Sequence, residues 1–213
     1  MWSTSNCSWC PDGSGSGCPP DSPNALYYPS GVDVTIQQGD HWFYTPGDSV
    51  HSLSDLAGFY HNSVGSNGHL EIDFAIDRTG GIDPVHAAAY KQFGNWITSC
   101  YGSPLATGSI PQKSNTVTVS LPGGNAGSII DRVAMVEDQT TGQNVINYLV
   151  QYTPVGSSNW QTFSQGTTIG SKRIDIISAP VTATSIRLTI TSAYSNNLPV
   201  TISAFSPDGC ATN

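Results

Sequence analysis

Few residues of this chain could carry acid–base chemistry. Among its 213 residues only two are glutamates, Glu71 and Glu137, and neither has an evident partner in the sequence. We therefore interpret both as structural or solvated carboxylates. Three aspartates, Asp33, Asp73 and Asp77, lie on or just after apolar runs that predict parallel strands. Strand ends collect polar side chains from several strands, so a site is expected there, although two strands cannot complete one.

Other common catalytic patterns do not occur. The five histidines, at positions 41, 51, 61, 69 and 86, lack the spacing of metal ligands. No nucleophile elbow and no phosphate-binding glycine loop precedes a helix. The sequence therefore predicts no metal and no cofactor.

The composition narrows the classes of molecule that this chain could bind. The chain is 38% apolar, enough for a core, and only 10% charged, with 7 basic and 15 acidic residues and a net charge of -8. That balance disfavours nucleic acid and anionic membranes. No apolar run is long enough to span a bilayer, and Met1-Trp2-Ser3 leads into polar residues rather than a signal peptide. We expect no nucleic acid or membrane partner, and no export signal in this chain.

The five cysteines favour an oxidising compartment. Cys7, Cys10 and Cys18 are crowded near the start of the chain, and no second Cys pair or His pair follows at zinc-ligand spacing. Disulfides are therefore favoured over zinc. The sequence does not assign the pairing of these three cysteines.

The first half of the chain predicts a parallel α/β layer. Residues 1 to about 30 are rich in Gly, Ser and Pro and predict an irregular, disulfide-tied loop. A strand follows at Val32 to Ile36, and then the aromatic run His41 to Tyr44, which could floor a sugar pocket or pack in the core. A helix is predicted from Ser52 to Ser63, with Ser52 or Ser54 as its cap.

The next segments continue this layer. Alternating apolar residues from Leu70 to Ile76 predict a second strand. Asp83 and Pro84 then start a second helix that runs to about Thr98. Helix, strand and helix in quick succession are typical of parallel α/β structure.

The second half predicts antiparallel strands. From Asn115 onward, short runs of period two are separated by Gly, Ser and Asn turns, which indicates a sandwich or barrel of about 100 residues. The runs lie at 117–121, 129–136, 145–152, 174–177, 186–191 and 200–205. We place a domain boundary near residue 104, which divides the chain into 1–103 and 104–213.

Motifs in the first half resemble a known family, the α-L-fucosidases of glycoside hydrolase family 29, over the C-terminal part of those enzymes. The matching pieces keep their order and spacing across most of residues 20 to 104. They are Val32-Asp33-Val34-Thr35-Ile36, Gly39-Asp40-His41-Trp42-Phe43-Tyr44, Ser52-Leu53-x-x-Leu56, Tyr60, Ser63-Val64-Gly65-x-Asn67-Gly68-x-Leu70, Asp77-Arg78-x-Gly80-x-Ile82, Phe93-Gly94-x-Trp96-Ile97 and Cys100-Tyr101-Gly102-x-Pro104.

The second half is similar to the discoidin-like, galactose-binding-like module that follows the barrel in many such enzymes. The residues that carry this similarity are Tyr148-x-Val150, Trp160, Phe163, Gly166-Thr-Thr-x-Gly170-x-Lys172-Arg173 and Ala183-x-x-Ile186-Arg187-Leu188. Together the two resemblances imply an α/β part followed by an all-β part. The expected fold is the C-terminal segment of a (β/α)8 barrel, followed by an antiparallel galactose-binding-like β-sandwich.

The resemblance implies a retaining glycosidase, in which two carboxyl groups about 5 Å apart act as nucleophile and acid. The family's nucleophile lies on a strand upstream of the matched motifs, so it is expected to precede Met1. The glutamate that some members use as acid aligns with Gly31, and the family's basic residue before Asn67 is Ser66 here. The usual strand-end asparagine aligns with Asp73. The catalytic residues are therefore unknown, and the substrate-pocket candidates are Asp33, Trp42, Asn67 and Asp73.

The resemblance also implies partners and a disulfide. We expect fucosylated glycans or another carbohydrate as ligand, and an oligomer or partner chain that covers the incomplete barrel. The localisation expected for the family is extracellular, lysosomal or vacuolar. Because discoidin-like domains commonly join their two ends, we expect a disulfide between Cys100 and Cys210. The loop at Ser157 to Trp160 could bind sugar, or could simply support the fold.

The leading hypothesis is the C-terminal portion of an α-L-fucosidase-like hydrolase that is inactive alone. The alternatives are a stand-alone carbohydrate-binding protein and a non-catalytic pseudoenzyme.

Overall fold

The computed structural model describes residues 31–39, 41–140 and 142–212. The irregular loop predicted for residues 1–30, and the pairing of Cys7, Cys10 and Cys18, lie outside the described residues. No helix in the described part of the chain is long and apolar enough to cross a lipid bilayer.

Two parallel strands and two helices form the first part. Strand β1 (Gly31–Thr35) pairs with β2 (His69–Asp73), with Gly31 opposite His69 and Thr35 opposite Asp73. Helix α1 (Leu53–Asn62) precedes β2, and α2 (Pro84–Tyr101) follows it. The parallel α/β arrangement of this segment agrees with the sequence prediction.

The helices begin where their capping residues lie. The Ser52 hydroxyl accepts a hydrogen bond from the Asp55 N–H, and the Asp55 carboxylate accepts one from the Ser52 N–H, which forms a capping box. At α2, the Asp83 carboxylate accepts from the Val85 N–H at 2.7 Å, and Pro84 is the first helical residue. The start at Asp83 and Pro84 was predicted, whereas the sequence left Ser52 and Ser54 as alternative caps of α1, and the structure has Ser52.

Two predicted boundaries were wrong. Strand β2 ends at Asp73 rather than reaching Ile76, which is 60% exposed and pairs only in an isolated bridge with Ile82. Helix α2 continues three residues beyond Thr98 because its last turn is anchored from outside the helix. Cys100 is buried in this turn and bonded to Cys210.

The second part is an antiparallel sheet of seven strands. They are β3 (Ala106–Ser109), β4 (Thr116–Ser120), β5 (Ser128–Glu137), β6 (Val145–Pro154), β7 (Gln161–Thr167), β8 (Arg173–Ala193) and β9 (Val200–Phe205). The strand order is β3-β9-β5-β8-β6-β7, and β4 also pairs with β8. The described chain is therefore mostly antiparallel sheet with few helices.

Strand β8 connects two groups of strands. Its first half pairs with β5, whereas its second half lies between β4 and β6. The sequence predicted two separate strands here, at 174–177 and 186–191, because the polar segment between them interrupts the apolar alternation. Strands β3 and β7 were missed for the same reason, since Thr, Ser, Gln and Gly dominate them.

One apolar cluster lies between these groups of strands. It is built from side chains that alternate toward the inside, among them Ile130, Met135, Tyr148, Leu188 and Ile202, each at most 2% exposed. Burial of one such large side chain contributes about 1.5 to 3 kcal/mol. This cluster is the main core of the antiparallel part.

A second apolar cluster joins the two parts of the chain. Leu56 and Tyr60 of α1 and Phe93 and Trp96 of α2 pack with residues of the antiparallel sheet, namely Ala134, Ile174 and Phe205. The helices therefore bury one face against both sheets. The boundary predicted near residue 104 remains a prediction.

Hydrogen bonds reinforce this junction at the turn before β2. The Asn67 N–H donates to the Lys172 carbonyl at 2.8 Å, and the Ile174 N–H donates to the Gly65 carbonyl at 2.9 Å. The Asn67 side chain accepts from the Ser171 N–H at 2.7 Å and donates to Gln143. Asn67 has φ of 64°, in the left-handed region that asparagine tolerates better than most residues.

A disulfide reinforces the junction at the end of α2. Cys100 and Cys210, the pairing that the resemblance implied, are bonded with Cα atoms 4.6 Å apart. The Trp96 indole N–H donates to the Cys210 carbonyl at 3.1 Å. The bond links residues 110 positions apart, and closing a loop of that length stabilises the fold by about 4 to 5 kcal/mol in the chain-entropy model.

A half-buried histidine lies in the same junction. His61 Nε2 is 2.6 Å from the Tyr101 hydroxyl, which also accepts a long hydrogen bond from Arg132 at 3.5 Å. Burial, and secondarily the Arg132 charge, lower the pKa of His61 to about 4. His61 is therefore neutral in the folded protein at neutral pH.

This lowered pKa predicts a pH-dependent stability. Between pH 6.5 and about 4 the unfolded chain binds a proton at His61 that the folded chain does not bind. The free energy of unfolding should therefore fall as the pH falls through that window. In His61→Gln, urea denaturation at several pH values should show a flatter dependence. The exposed His69, changed to Gln, serves as control, and equal slopes in both variants would contradict the prediction.

The close packing of Asn67 against Gly170 predicts a large loss of stability when Gly170 is substituted. Its φ is +65°, and a Cβ there would lie 2.0 Å from Asn67 Oδ1. We expect Gly170→Ala to lower the free energy of unfolding by about 2 to 4 kcal/mol. The matched control is Gly156→Ala, which has φ of +75° and open space around the Cβ. It should cost only about 1 kcal/mol. Equal losses in urea denaturation would show that the Asn67 contact is unimportant.

Candidate functional site

The candidate site lies at the carboxyl edge of the parallel sheet. Because β1 and β2 are parallel and in register, both end at the same edge. Two loops leave the strands there, at 36–51 and 74–83. Such edges are where α/β proteins usually build their sites.

One face of the two-stranded sheet carries three carboxylates. Asp33 lies opposite Glu71, and Asp73 lies opposite Thr35, so the period of two places all four on the same face. The other face carries Leu70 and Ile72, which pack on the helices. Asp33 and Glu71 are exposed and Asp73 is half-buried. Neighbouring carboxyl groups are the chemistry that glycosidases use.

The first loop presents aromatic side chains. Trp42 is 49% exposed and Phe43 is 88% exposed. The rings of Trp42 and Phe43 therefore do not pack in the core, which was one of the two interpretations of the sequence. Tyr44, in the same run, is half-buried and packs edge-on against His86, with ring centroids 5.9 Å apart.

A buried glutamine holds this loop in place. Gln37 is fully buried, and its amide N–H groups donate to the carbonyls of His41 at 2.7 Å and Phe43 at 3.1 Å. Its side-chain oxygen accepts from the Thr45 N–H at 3.1 Å. Three hydrogen bonds from one side chain thus fix the backbone that carries Trp42 and Phe43. Nothing in the sequence distinguished Gln37 from its neighbour Gln38.

The second loop is organised by Asp77. One carboxylate oxygen, Oδ1, accepts hydrogen bonds from the Thr79 N–H, the Thr79 hydroxyl and the Gly81 N–H, all within 2.8 Å. These bonds, led by that from the Thr79 hydroxyl, lower the pKa of Asp77. Asp77 therefore shapes the turn and remains ionised.

The two loops meet above the strand ends. The Tyr44 hydroxyl donates to the Asp83 carboxylate at 2.9 Å. The Val85 N–H and then the Tyr44 hydroxyl lower the pKa of Asp83, while the bond to Asp83 raises the pKa of Tyr44. Between the loops is an open depression of about 670 Å³. Its lining residues are Phe43, Tyr44, Pro46, Ile76, Asp77, Arg78 and Thr79.

The structure brings three of the four pocket candidates to one side. Asp33 and Asp73 share a sheet face, and Trp42 lies on the loop that follows β1. Asn67 lies two residues before β2, at the opposite, amino end of the strand, so the five residues of β2 separate it from the carboxyl edge. Its side chain is engaged with Ser171 and Gln143 in the junction.

Gly31, the position that aligns with the family's glutamate, is the first residue of β1. A Cβ there would lie 2.6 Å from the imidazole of His69. A larger side chain would therefore require His69 to move. In the described residues, no three His, Cys, Asp or Glu side chains are arranged to hold a metal ion.

The loop suggested for sugar binding in the antiparallel part has a different environment. Ser157, Ser158 and Asn159 are exposed, while Trp160 is half-buried. The Arg187 guanidinium lies over the Trp160 ring, 4.2 Å from its centroid. One face of this ring is therefore covered by protein. Sugar binding at this loop remains a prediction.

The role of Gln37 can be tested by Gln37→Met, which keeps the side-chain length but loses three hydrogen bonds. We expect a loss of about 1 to 3 kcal/mol in the free energy of unfolding. Amide hydrogen exchange should accelerate at residues 41–48. The control is Gln38→Met, since Gln38 is exposed and its side chain accepts a single hydrogen bond among the described residues, from the Ser49 hydroxyl. Unchanged exchange in Gln37→Met would contradict this role.

No protein-family model matches the chain, and no curated protein matches its sequence. Solved structures do match. A protein of Bacteroides thetaiotaomicron assigned as an α-L-fucosidase gives a TM-score of 0.77 at 27% identity, over 84% of this chain and 41% of that chain. One of Bacteroides ovatus with the same assignment gives 0.71 at 28% identity, over 84% and 30%.

The fold is also shared with a family 29 fucosidase of Ruminococcus gnavus solved with fucose. Its TM-score is 0.73 at 21% identity, over 86% of this chain and 42% of that chain. The chain thus spans less than half the length of each of these three proteins. The structural comparison confirms that this chain resembles the C-terminal part of the α-L-fucosidases of glycoside hydrolase family 29.

Proposed function

We propose that this chain is the C-terminal portion of an α-L-fucosidase-like glycoside hydrolase whose parent activity is the hydrolysis of α-L-fucosides. Residues 1–103 would be the last strands and helices of a (β/α)8 barrel, and residues 104–213 a galactose-binding-like β-sandwich. The observation that carries the proposal is the parallel pair β1–β2, with three carboxylates on one face and an aromatic loop at its carboxyl edge. The solved fucosidases share this fold.

The backbone hydrogen bonds of β1 and β2 indicate where further strands could be added to the parallel pair. The Ile36 N–H donates to the Asp73 carbonyl at 3.1 Å, so the Ile72 carbonyl points to the outer edge of β2. There it accepts a hydrogen bond from the Tyr90 hydroxyl. The outer edge of β1 pairs with no other described strand. Since parallel sheets are rarely this small, additional strands on β1 would complete the layer.

In a completed barrel, the face with Asp33, Glu71 and Asp73 would point to the interior, because the helices cover the other face. A fucose ring could then meet these carboxylates and the exposed Trp42. Carbohydrate is therefore the proposed ligand, and an extracellular or lysosomal location is proposed from the family. A partner chain or further barrel strands would cover other exposed apolar side chains, namely Ile76, Ile82 and Val85.

The chain alone is proposed to be inactive. A retaining glycosidase needs a nucleophile and an acid on opposite sides of the glycosidic bond. Gly31 has no side chain to serve as acid, and no further strand among the described residues supplies a second carboxyl group across the sheet face. Without a nucleophile there is no covalent route, and without an acid the departing oxygen is not protonated. Each loss costs orders of magnitude in rate.

A second candidate function is carbohydrate binding without catalysis. The exposed rings of Trp42 and Phe43 favour it, because they could bind a sugar without any catalytic carboxyl group. Titration with L-fucose, followed by chemical shifts of the Trp42 indole N–H, tests this alternative separately. No shift at millimolar fucose would remove it.

The activity prediction is tested by assaying the purified chain on 4-nitrophenyl α-L-fucopyranoside. We expect no turnover above the uncatalysed rate, and the same result for Asp33→Ala and Asp73→Ala. Turnover that either substitution abolishes would contradict the proposed inactivity. It would also assign the missing catalytic role to that aspartate.

A further inference from the structure

One charged side chain lies in the middle of the strands β4, β6, β7 and the second half of β8. It is Arg187, and no other residue of β4, β6, β7 or positions 183–193 of β8 is charged. Thr118 of β4 lies opposite Arg187 on one side, and Gln151 of β6 lies opposite it on the other. The neighbouring residues Val150 and Leu188 pack in the main core, so Arg187 and Gln151 lie on the outer face of the sheet.

Two neighbours hold the Arg187 guanidinium in place without neutralising it. Its Nε and Nη2 groups donate to the Gln151 side-chain oxygen at 3.2 and 2.6 Å. The guanidinium also lies over the Trp160 ring, 4.2 Å from the centroid. Both partners are uncharged, and Arg187 forms no ion pair with any described residue. The positive charge is therefore fixed in position and has no counter-charge in the described part of the chain.

A second edge of this guanidinium is open. Gln151 occupies the edge formed by Nε and Nη2, whereas the edge formed by Nη1 and Nη2 donates no hydrogen bond to a described residue. Such an edge presents two parallel N–H groups, which is the geometry that binds both oxygens of a carboxylate. Arg187 thus combines a fixed orientation with the free donors that bidentate recognition requires.

Hydroxyl groups lie beside Arg187 on the same face. Thr118 is directly opposite Arg187, and Ser120 is opposite Ser185, two residues along each strand. The hydroxyls of these three residues form no hydrogen bond within the described ranges of the chain. A hydroxyl can both donate and accept, as the hydroxyl groups of a sugar do. The face therefore offers a carboxylate partner with free hydroxyl partners next to it.

The backbone of this sheet argues against a phosphate or a peptide as the ligand. Phosphate sites commonly use free backbone N–H groups at a helix N-terminus, whereas this half of β8 is paired with strands on both sides. Peptides that bind to sheets usually add a strand to a free edge, and Arg187 lies on a central strand. A single carboxylate on a sugar ring matches one cation with hydroxyls beside it.

The net charge of -8 limits how such a ligand can bind. The acidic residues of 104–213 are Asp131, Glu137, Asp138, Asp175 and Asp208, and none of them lies in β4, β6, β7 or positions 183–193. At physiological ionic strength, exposed charges are largely screened beyond about 8 Å. Repulsion by the rest of the chain is therefore weak at Arg187, and binding must depend on short contacts rather than on attraction at a distance.

We propose that Arg187, held by Gln151 and Trp160, binds the carboxylate of a uronic acid residue in an acidic polysaccharide. The three neighbouring hydroxyls bond the hydroxyl groups of the same sugar. The site lies on the antiparallel sheet, apart from the carboxyl edge of β1 and β2, and it does not depend on the proposed fucoside hydrolysis. It makes the antiparallel part an attachment site for anionic glycans.

The test titrates the full chain with trigalacturonate, its methyl ester and the acidic peptide triglutamate. The ester keeps the sugar rings and removes the charge, whereas the peptide keeps the charge and removes the sugar. Binding is measured from the chemical shifts of the Trp160 indole N–H and of the backbone amides at 117–119, 150–152 and 186–188. We expect millimolar trigalacturonate to shift these signals, and to bind more weakly as the ionic strength rises. The ester and the peptide should shift them little.

Substitutions separate the charge of Arg187 from its role in the fold. Arg187→Gln should weaken trigalacturonate binding about tenfold or more, and Arg187→Lys should not restore it fully, because lysine lacks the paired donors. Gln151→Glu keeps an oxygen acceptor for the guanidinium but adds a counter-charge. It should abolish binding without lowering the melting temperature. Lys91→Gln removes an exposed cation of α2 and should leave binding unchanged.

Several outcomes would overturn this site. Equal binding of trigalacturonate by the unsubstituted chain, Arg187→Gln and Gln151→Glu would show that Arg187 only covers the Trp160 ring. Equal binding of the methyl ester would exclude the carboxylate contact, and equal binding of triglutamate would exclude the sugar contacts. The absence of any shift with trigalacturonate would also contradict the proposal. Because no fucoside is used in these titrations, none of these results bears on the proposed function.

Discussion

The packing of the two helices against the antiparallel sheet is the contact on which the rest of this structure depends. A two-stranded parallel sheet is not stable alone, because it buries too little apolar surface. Here Tyr60, Phe93 and Trp96 pack with Ile174 and Phe205, so the helices share a core with the larger sheet. The antiparallel part therefore supplies the rigidity that the parallel pair cannot supply itself.

The junction is reinforced at its two ends by different chemistry. At one end, Asn67 is held by backbone groups of the loop before β8, where Gly170 leaves room for its side chain. At the other end, a disulfide ties the last turn of α2 to Cys210. Both lie away from the carboxyl edge of β1 and β2. The loops at that edge can thus vary in sequence without loosening the contact between the two parts.

The elements with strong local signals could be predicted from the sequence. Asp83 with Pro84 marks the start of α2 by residue type alone, and for α1 residue type narrowed the cap to Ser52 or Ser54. Strands β3 and β7 could not be predicted, because their pairing with longer neighbours stabilises segments that are too polar to show a period of two. Strand β2 stops before Ile76 because Asp77 closes a turn with its own side chain, a preference that competes with apolar alternation.

The candidate site was only partly predictable for a related reason. Asp33 and Asp73 were named because strand ends collect functional groups, and Trp42 because an aromatic ring beside a strand end can stack on a sugar. The structure places them along one strand pair and its following loop. Gln37 was not named because its role depends on full burial, which a glutamine between a strand and a loop does not signal. Asn67 was named from the resemblance, yet its contacts are with the antiparallel part.

Burial separates the structural charges of this chain from those available to ligands. A buried charge requires partners, since desolvation otherwise outweighs its interactions. Glu137 is 2% exposed and accepts hydrogen bonds from the N–H groups of Asn144, Val145 and Gly170. This agrees with its interpretation as a structural carboxylate. The buried Arg132 is likewise paired with Asp131.

The carboxylates of the parallel sheet, by contrast, are neither fully buried nor paired. Glu71 and Asp33 are exposed, and neither has an ion-pair partner among the residues that the structure describes. Two carboxylates at neighbouring positions repel each other, so their arrangement does not add to stability. Such a repulsion between carboxylates is expected where the charges interact with a ligand rather than stabilise the fold. The chemistry of this chain is therefore best sought on the face and edge of its smaller sheet, although most of its stability comes from the larger one.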